Sequence, residues 1–509
     1  MKIELWFLII YFVAMAGIGV WAMRRSSKNA EGFLLAGRSL GPGVTALRLQ
    51  SSSMSGYMFL GAGSLGYTQG YFGMWYALGD IGGGVLNLSV LGRRMRKLSQ
   101  ILGSITSIEY LEHRYPSKWV RMIAAPVALF CMFFYVMAQF IAGGRGLEMV
   151  SGISYPIALA VAIGVIVLYT FLGGYLAVAY TDFVQAIIML VGMVWILIGT
   201  LTAIGGFSAG NAKVGAIDET LLGMFGSGGV YDGQWGIILG ALLIFSIGYM
   251  GWPHVVVSHM AMKRPSVARR AGLYSTLFNL VFIPAPYIVG IFAIVLLPNL
   301  VNPELAIFEM ASNVLPSFAV GIVMAAIMST ADALLLQSGT VASQDIYARF
   351  FNKNMTDKQM VLVSRVIVLT LAIVGYLIAV VEPPAVAAIV IFSTTVLGSA
   401  FVPSYVCAVW WKKANTVGAI SSMITGTVLA VGWELAGFAG FTGLDPMVVG
   451  ILGSTVAMIV GSLATQRSHP VPEHIARALD ETKKVGPIPA KLLLGQDSKL
   501  SAQAEIASQ

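Results

Sequence analysis

The stretch Thr45-Ala-Leu-Arg-Leu-Gln-Ser-Ser-Ser-Met-Ser-Gly-Tyr57 lies in the middle of an apolar segment near residues 40 to 66. Three successive serines followed by Ser55-Gly56 make a poor helix sequence, so we expect the helix to unwind there. Unwound backbone leaves carbonyl groups without partners, and lipid cannot satisfy them, so the break must face a cavity or an ion. Discontinuous helices of this kind are typical of secondary transporters.

A second interruption, Phe245-Ser-Ile-Gly-Tyr-Met-Gly-Trp-Pro-His254, follows five apolar segments later. Two broken helices in corresponding positions predict an inverted repeat of two five-span halves, spans 2 to 6 and 7 to 11, with a binding site between them. The repeats would cover about 40–205 and 234–410. The alternative is that the glycines only let neighbouring helices approach closely.

The composition is that of a polytopic membrane protein, because 57% of the 509 residues are hydrophobic, 11% are charged and the mean hydropathy is +0.82. The run from Met1 to Met23 lacks a small-x-small cleavage site and is long enough to span, so we interpret it as an uncleaved first helix. Cys131 and Cys407 lie in apolar runs, which predicts no disulfide. Further apolar segments lie near 40–66, 72–92, 119–149, 155–174, 179–205, 234–257, 272–298, 316–346, 361–381, 385–410, 416–438 and 446–465.

These segments predict an all-α protein with about thirteen transmembrane helices, a membrane domain over 1–465 and a polar cytoplasmic tail over 466–509. In the tail we expect a short helix near Glu473 to Lys484 and then disorder. The longest external loop, Gly206 to Gln234, either folds over an outer vestibule or is a plain connector.

Positive charge is concentrated in alternate loops, which by the positive-inside rule places the N-terminus outside and the C-terminus in the cytoplasm. The protein is therefore expected in a plasma membrane, and most simply in a bacterial cytoplasmic membrane. The positive loops hold Arg24, Arg25, Lys28, Arg38, Arg93, Arg94, Arg96, Lys97, Lys263, Arg264, Arg269, Arg270, Arg349, Lys353, Lys358, Lys412 and Lys413. The other loops hold Lys213 alone, with Asp218, Glu219, Asp232, Glu304, Glu309, Glu382 and Asp445.

A third informative stretch is Met324-Ala-Ala-Ile-Met-Ser-Thr-Ala-Asp332, inside the apolar run 318–336. Ser329 and Asp332 share a helical face and Thr330 is adjacent, so their oxygen atoms form a compact cluster that suits a small hard cation. The alternative for the hydroxyls is a bond to a carbonyl one turn earlier. A carboxylate near mid-bilayer costs about 3 kcal/mol, so Asp332 needs a partner, a proton or an aqueous cavity.

The chain resembles the sodium:solute symporter family along nearly its whole length, and is most similar to the sodium/proline and sodium/pantothenate branch. The motifs that carry the resemblance are Leu35-Ala-Gly-Arg-Ser-Leu-Gly41, Ser53-Met-Ser-Gly56, Gly173-Gly-Tyr-Leu-Ala-Val-Ala-Tyr-Thr-Asp-Phe-Val-Gln185, Pro253-His254, Met328-Ser-Thr330 and Asp345-Ile-Tyr347.

The resemblance implies a LeuT-like core of two inverted five-helix repeats, as in the APC superfamily, preceded by one extra helix and followed by two. It implies Na⁺ as the coupling ion, bound by the carbonyls of Ser51, Met54 and Ala326 and the hydroxyls of Ser329 and Thr330. In some members a second sodium site uses positions matching Asp182, Ser329, Asp332 and Ala333. Here Asp182 and Asp332 would form a second cation site or a titrating pair that admits proton coupling.

The substrate would lie beside the sodium, between the two broken helices. The family's proline carriers have aspartate at Ser53 and tryptophan at Tyr57 and Phe245, which weakens proline and keeps pantothenate and short monocarboxylates under consideration. The substrate-binding residues would be Ser53, Ser55, Gly56, Tyr57, Tyr135, Gln139, Phe245, Tyr249, Trp252 and Pro253, together with Arg48.

Arg48 stands one turn before the first break in an otherwise neutral segment. One hypothesis is that its guanidinium holds a substrate carboxylate bidentately. The alternatives are that it pairs with Asp80, Asp182 or Asp332, or that it replaces the charge of a sodium ion.

The sequence thus predicts a sodium-coupled importer of a small organic solute that works by alternating access and catalyses no chemical conversion. A proton-coupled symporter of the same fold is the alternative, and a sensor or channel is less favoured because the chain shows no signalling domain and the broken helices favour an occluding carrier. The expected partners are the solute and the lipid bilayer, with no nucleic acid and a monomer as the functional unit. No metal-spaced histidine cluster, nucleophile elbow or phosphate loop suggests an enzyme.

Overall fold

The structure is a computed structural model that describes residues 3–25, 29–316, 329–352, 354–381, 386–484, 486, 488–489 and 492. Within these residues it is helical, with only isolated β-bridges. The predicted all-α membrane class is confirmed, whereas the total of about thirteen spans stays a prediction. Seven helices in the described part are long and apolar enough to cross a membrane: Lys118–Ser151, Gly173–Ile204, Val267–Leu296, Asp357–Ala379, Val386–Trp410, Thr416–Leu435 and Pro446–Ala464.

The α-helices, numbered along the chain, have the following bounds: α1 Ile3–Arg25, α2 Ala30–Leu35, α3 Pro42–Ser53, α4 Gly56–Phe59, α5 Gly61–Gln69, α6 Met74–Asn87, α7 Arg93–Ile101, α8 Ser107–Arg114, α9 Lys118–Ser151, α10 Tyr155–Ile204, α11 Phe207–Ile217, α12 Trp235–Phe245, α13 Pro253–Ala261, α14 Val267–Phe282, α15 Pro284–Leu296, α16 Ala306–Val314, α17 Ser329–Thr340, α18 Asp357–Ala379, α19 Val386–Trp410, α20 Thr416–Leu435, α21 Phe438–Thr442, α22 Pro446–Ala464 and α23 Glu473–Lys483. Two π-helical stretches, Leu88–Gly92 and Val341–Phe351, extend α6 and α17.

Both predicted helix breaks are present. The first separates α3 from α4 at Met54 and Ser55, and the Ser55 hydroxyl caps α4 by accepting the N–H of Tyr57 at 3.0 Å. The second separates α12 from α13, and the intervening Gly248–Gly251 forms a 3₁₀ turn. Pro253 then occupies the first turn of α13, where its missing N–H costs nothing. The first break and residues 248–252 of the second are buried, so both breaks open toward the protein interior.

The sequence pattern predicts two spans at 155–174 and 179–205, and the structure has two helical segments within α10 that meet at a sharp break at Gly174. Gly174 bends α10 with φ +58°, a conformation that a side chain would strain. A Cβ there would also lie 2.6 Å from the Phe33 ring. The kink brings the second half of α10, with Asp182, against α3 and α17.

The loop at 206–234 packs against neighbouring helices, whereas its external position and its cover over an outer vestibule stay predictions. Its helix α11 and the 3₁₀ turn Glu219–Leu222 build a small apolar core with α15. Tyr231 stacks on Phe72 at 4.0 Å, and the Trp75 indole donates to the Met224 carbonyl at 2.8 Å. These contacts hold the loop against the C-terminal end of α5 and the first turn of α6.

The positively charged loops gather on one side of the molecule, which we call the basic face. Arg38 donates to the Met260 carbonyl at 3.0 Å, and Arg94 donates to the Val409 carbonyl at 3.1 Å. The tail helix α23 lies on the same face, where Lys412 pairs with Asp480 at 2.6 Å. Three apolar residues of α23 are buried against this face: Ile475, Ala478 and Leu479.

We expect Gly66→Ala to destabilise the protein by about 1 to 3 kcal/mol, because α5 and α15 touch through their backbones at this glycine. A Cβ on Gly66 would lie 2.3 Å from the Tyr287 carbonyl oxygen and 3.1 Å from the Ile291 nitrogen. Backbone cannot move aside as a side chain can. The thermal unfolding midpoint of the purified protein measures the effect. Gly82→Ala on α6 is the control, since its Cβ would meet only Leu86 at 3.8 Å. Equal midpoints for the two variants would contradict the close contact.

Candidate cation and substrate site

The first break releases a backbone carbonyl at the centre of the molecule. In an unbroken helix the N–H of Ser55 would bond to the carbonyl of Ser51. Here that N–H donates to the carbonyl of Ser53 at 3.0 Å, so the Ser51 carbonyl is left without its helical partner. Ser51 is fully buried, and an unpaired carbonyl there is costly unless another group meets it.

Two hydroxyls at the start of α17 meet this carbonyl. Thr330 donates to the Ser51 oxygen at 2.9 Å and Ser329 at 3.4 Å, and both side chains are fully buried. Three of the five predicted sodium ligands therefore lie together. Met54 stands at the broken end of α3, while Ala326 lies outside the described residues. Carbonyl and hydroxyl oxygens fit Na⁺, because a hard cation prefers oxygen donors.

The two acidic residues of the predicted second site lie next to this cluster. Asp182 accepts a hydrogen bond from the Ser52 hydroxyl at 3.2 Å, and Asp332 accepts one from the Thr181 hydroxyl at 3.3 Å. Both carboxyl groups are fully buried. Two carboxyl groups on adjoining helices, each met by a hydroxyl, can hold a proton or a small cation between them.

Arg48 points toward Asp182 rather than into open space. Its Nε lies 3.9 Å from an Asp182 oxygen, and its Nη1 donates to the His254 carbonyl at 2.9 Å and to the Ser258 hydroxyl. The guanidinium also lies over the Tyr175 ring at 4.6 Å. Only 1% of the Arg48 surface is exposed, and protein groups surround its guanidinium. This arrangement corresponds to the alternative in which Arg48 pairs with an internal acid.

An aromatic cage lies on the other side of the first break. Phe245 is the centre of this cage, with the Tyr57 ring at 5.0 Å and the Tyr249 ring at 6.2 Å. Trp252 packs edge-on against Tyr249 at 4.4 Å. The predicted aromatic residues from both broken helices, with Tyr135 from α9, therefore form one cluster. Such a cage suits a small solute with an apolar ring or chain.

Polar groups from α3, α9 and α13 adjoin this cage. Gln139 accepts the N–H of Gly56 at 2.6 Å, which ties α9 to the first break. The Ser53 hydroxyl donates back to the carbonyls of Leu49 and Gln50, both at 3.0 Å. Among the described residues, the Gln139 Nε2 and both ring nitrogens of His254 have no hydrogen-bond partner although they are buried. These atoms are available to a polar ligand.

Sequence reasoning missed three contributors to this region. Tyr287 of α15 reaches the Tyr57 hydroxyl at 3.4 Å, and Tyr175 covers Arg48. His254 enters the sequence analysis only as part of the motif Pro253-His254, and its ring nitrogens are unpartnered within the described residues. Each of these depends on packing between distant helices, for which the sequence offers no periodic signal.

Comparison with known proteins identifies the family of this chain. A model of the sodium:solute symporter family matches residues 33–426, which is most of the chain. The chain belongs to the sodium:solute symporter family. This confirms the predicted sodium-coupled symporter of a small solute, with Na⁺ as coupling ion, in a multi-pass membrane protein.

Two individual relatives resemble the chain in sequence, and one solved structure resembles it in fold. The chain is 30% identical to the osmoregulated proline transporter OpuE of Bacillus subtilis over 472 residues, covering 90% of this chain and 94% of the relative. It is 31% identical to the high-affinity proline transporter PutP of the same organism, covering 88% and 95%. A sodium-coupled sialic acid symporter structure aligns with a TM-score of 0.72 at 17% identity, covering 91% of this chain and 98% of that one. This structural match confirms the predicted LeuT-like fold.

Proposed function

We propose that this symporter imports a small carboxylate-bearing solute, with proline as the first candidate, together with Na⁺ bound at Ser51, Met54, Ala326, Ser329 and Thr330. One observation carries the proposal: the hydroxyls of Ser329 and Thr330 converge on the carbonyl that the first break releases. The solute would lie in the adjoining aromatic cage, so that rocking of the helix bundles exposes both sites to each side in turn.

Support for proline comes from the relatives, since OpuE and PutP are proline transporters by name. The cage of Tyr57, Phe245, Tyr249 and Trp252 offers apolar walls for a ring of that size. Pantothenate and short monocarboxylates stay in the proposal because Ser53, Tyr57 and Phe245 depart from the proline carriers' pattern.

We infer that the basic face is cytoplasmic, which puts the N-terminus outside and the tail inside. The gathering of the positive loops and α23 on that face supports this orientation. The membrane potential would then add about 2.3 kcal/mol per charge per 100 mV to the sodium gradient. In this proposal residues 1–465 form the transport domain and 466–509 a cytoplasmic tail. The monomer embedded in lipid transports without chemical conversion.

Proton coupling is the second candidate, and the buried Asp182 and Asp332 favour it. Each receives a hydroxyl hydrogen bond close to the proposed sodium ligands, so a proton taken up there would change the charge of the same site. Na⁺ and H⁺ could then drive the same transport cycle separately.

Uptake of labelled proline, pantothenate and lactate into proteoliposomes tests the proposal. We expect one solute to reach an internal concentration at least about tenfold higher under an inward Na⁺ gradient than under a K⁺ gradient of equal size, since 1.4 kcal/mol of driving force is tenfold in an equilibrium. Accumulation driven by a proton gradient alone would show that transport is coupled to protons rather than to sodium. Uptake that does not saturate with solute would contradict a carrier.

A further inference from the structure

A large cavity opens on the basic face between α6 and α14, away from the transport site. Its volume is about 1100 Å³, and its inner wall is apolar, formed by residues that include Val85, Leu88 and Leu273. Five cationic residues surround it: Arg93, Lys97, Arg264, Arg269 and Lys484. No acidic residue is among the described residues that line it.

Two of these cations are available to a ligand. Arg264 and Arg269 are exposed, and neither forms an ion pair within the part of the chain that the structure describes. The other three are already engaged, since Arg93 and Lys97 donate to the Lys484 carbonyl at 2.8 Å and Lys484 pairs with Glu481 at 2.9 Å. The engaged cations raise the local potential, and the free pair can contact an anion directly.

The backbone reinforces the positive charge. Helix α14 begins at this cavity, its N-cap Ser266 makes no capping bond through its side chain, and its first turn has no acidic residue. Helix N-termini normally attract negative side chains, but here Arg264 precedes the cap and Arg269 follows it. A positive helix end surrounded by arginines is stabilised when an anion binds there.

The apolar wall continues into the surface that faces the bilayer. Leu273, Leu277 and Val281 repeat every four residues along α14 and are 57%, 56% and 51% exposed. The opposite wall is the π-helical turn Leu88–Gly92, an irregularity that is frequent at functional sites. A ligand in this cavity would therefore have an anionic head at Arg264 and Arg269 and apolar chains along α14.

We propose that the cavity binds an anionic phospholipid from the leaflet next to the basic face. The phosphate of its headgroup lies between Arg264 and Arg269 at the start of α14, and its acyl chains run over Leu273, Leu277 and Val281. Basic pockets between membrane helices select such headgroups, and a zwitterionic lipid gains less because its own ammonium opposes the arginines. The site is independent of which solute is carried.

Native mass spectrometry of the purified symporter tests this proposal, with phosphatidylglycerol, cardiolipin and phosphatidylcholine added separately. We expect Arg264→Gln/Arg269→Gln to bind the two anionic lipids about thirtyfold more weakly than the unmodified protein, because two surface cations are lost. The matched control is Lys263→Gln/Arg270→Gln, which removes the same charge from neighbouring exposed positions outside the cavity. It is expected to bind within about threefold of the unmodified protein.

Further measurements separate loss of the lipid site from loss of charge and from unfolding. Arg264→Lys/Arg269→Lys retains the charge and is expected to retain binding, and the melting midpoint without lipid checks that each variant is folded. Equal losses of lipid binding in Arg264→Gln/Arg269→Gln and in the control would contradict the proposed site, because net charge alone would then explain binding. Equal binding of phosphatidylcholine would overturn the anionic selection. Inorganic phosphate that competes fully with the lipid at millimolar concentration would assign the site to a free anion instead.

Discussion

Thr330→Ala is expected to raise the Na⁺ concentration that half-saturates uptake by about ten- to a hundredfold. The Thr330 hydroxyl lies 2.9 Å from the released Ser51 carbonyl, so it is placed to share a cation with that oxygen. Removing a hydrogen-bonding group that serves a charge typically costs about 1.5 to 3 kcal/mol, which corresponds to that range of affinity. Initial uptake rates in proteoliposomes across a series of Na⁺ concentrations measure the effect.

Thr340→Ala on the same helix is the matched control for this change. The Thr340 hydroxyl donates to the Leu336 carbonyl at 2.8 Å, the ordinary arrangement of a threonine inside a helix. We expect its sodium dependence to stay within about twofold of the unmodified protein. Thr330→Ser keeps the hydroxyl and is expected to restore sodium affinity. Identical sodium curves for the two alanine variants would contradict a cation site at Thr330.

The sequence predicted the broken helices because helix propensity and membrane solvation act locally. The serine run Ser51–Ser53 with Gly56, and the glycines and proline at 248–253, weaken a helix wherever it packs. The fold then follows from two breaks in equivalent positions. The pairing of Ser329 and Thr330 with Ser51 was available only through the family resemblance, since no local rule joins α3 to α17.

Other features depend on three-dimensional packing that a periodic pattern does not encode. Sequence reasoning offered Asp80, Asp182 and Asp332 as partners of Arg48, and the kink at Gly174 decides between them by turning Asp182 toward α3. Asp80 instead accepts a hydrogen bond from Tyr249. Likewise, the tail helix was expected from its sequence, but its packing on the basic face depends on Lys412 and Arg93, which belong to distant loops.

The geometry around Arg48 favours the hypothesis that it pairs with an internal acid, as a fixed positive charge that balances Asp182. A substrate carboxylate would have to replace an ion pair, a carbonyl, a hydroxyl and a tyrosine ring that already surround the guanidinium. Removing one partner of a buried pair typically costs about 3 to 5 kcal/mol, because the remaining charge is left without compensation. Replacing both partners by neutral groups avoids most of that cost.

We therefore expect Arg48→Gln and Asp182→Asn each to lower the thermal midpoint strongly and to abolish uptake, while the double variant recovers most of the midpoint. Arg145→Gln is the control, because Arg145 pairs with Glu148 at 2.8 Å in a partly exposed position, where a pair contributes about 0 to 1 kcal/mol.

Solute affinity distinguishes pairing with Asp182 from binding of a substrate carboxylate. If Arg48 balances Asp182, the double variant binds solute within about threefold of the unmodified protein, whereas loss of a bidentate carboxylate contact weakens binding by about ten- to a hundredfold. Affinity that stays low in a stable double variant would assign Arg48 to the substrate.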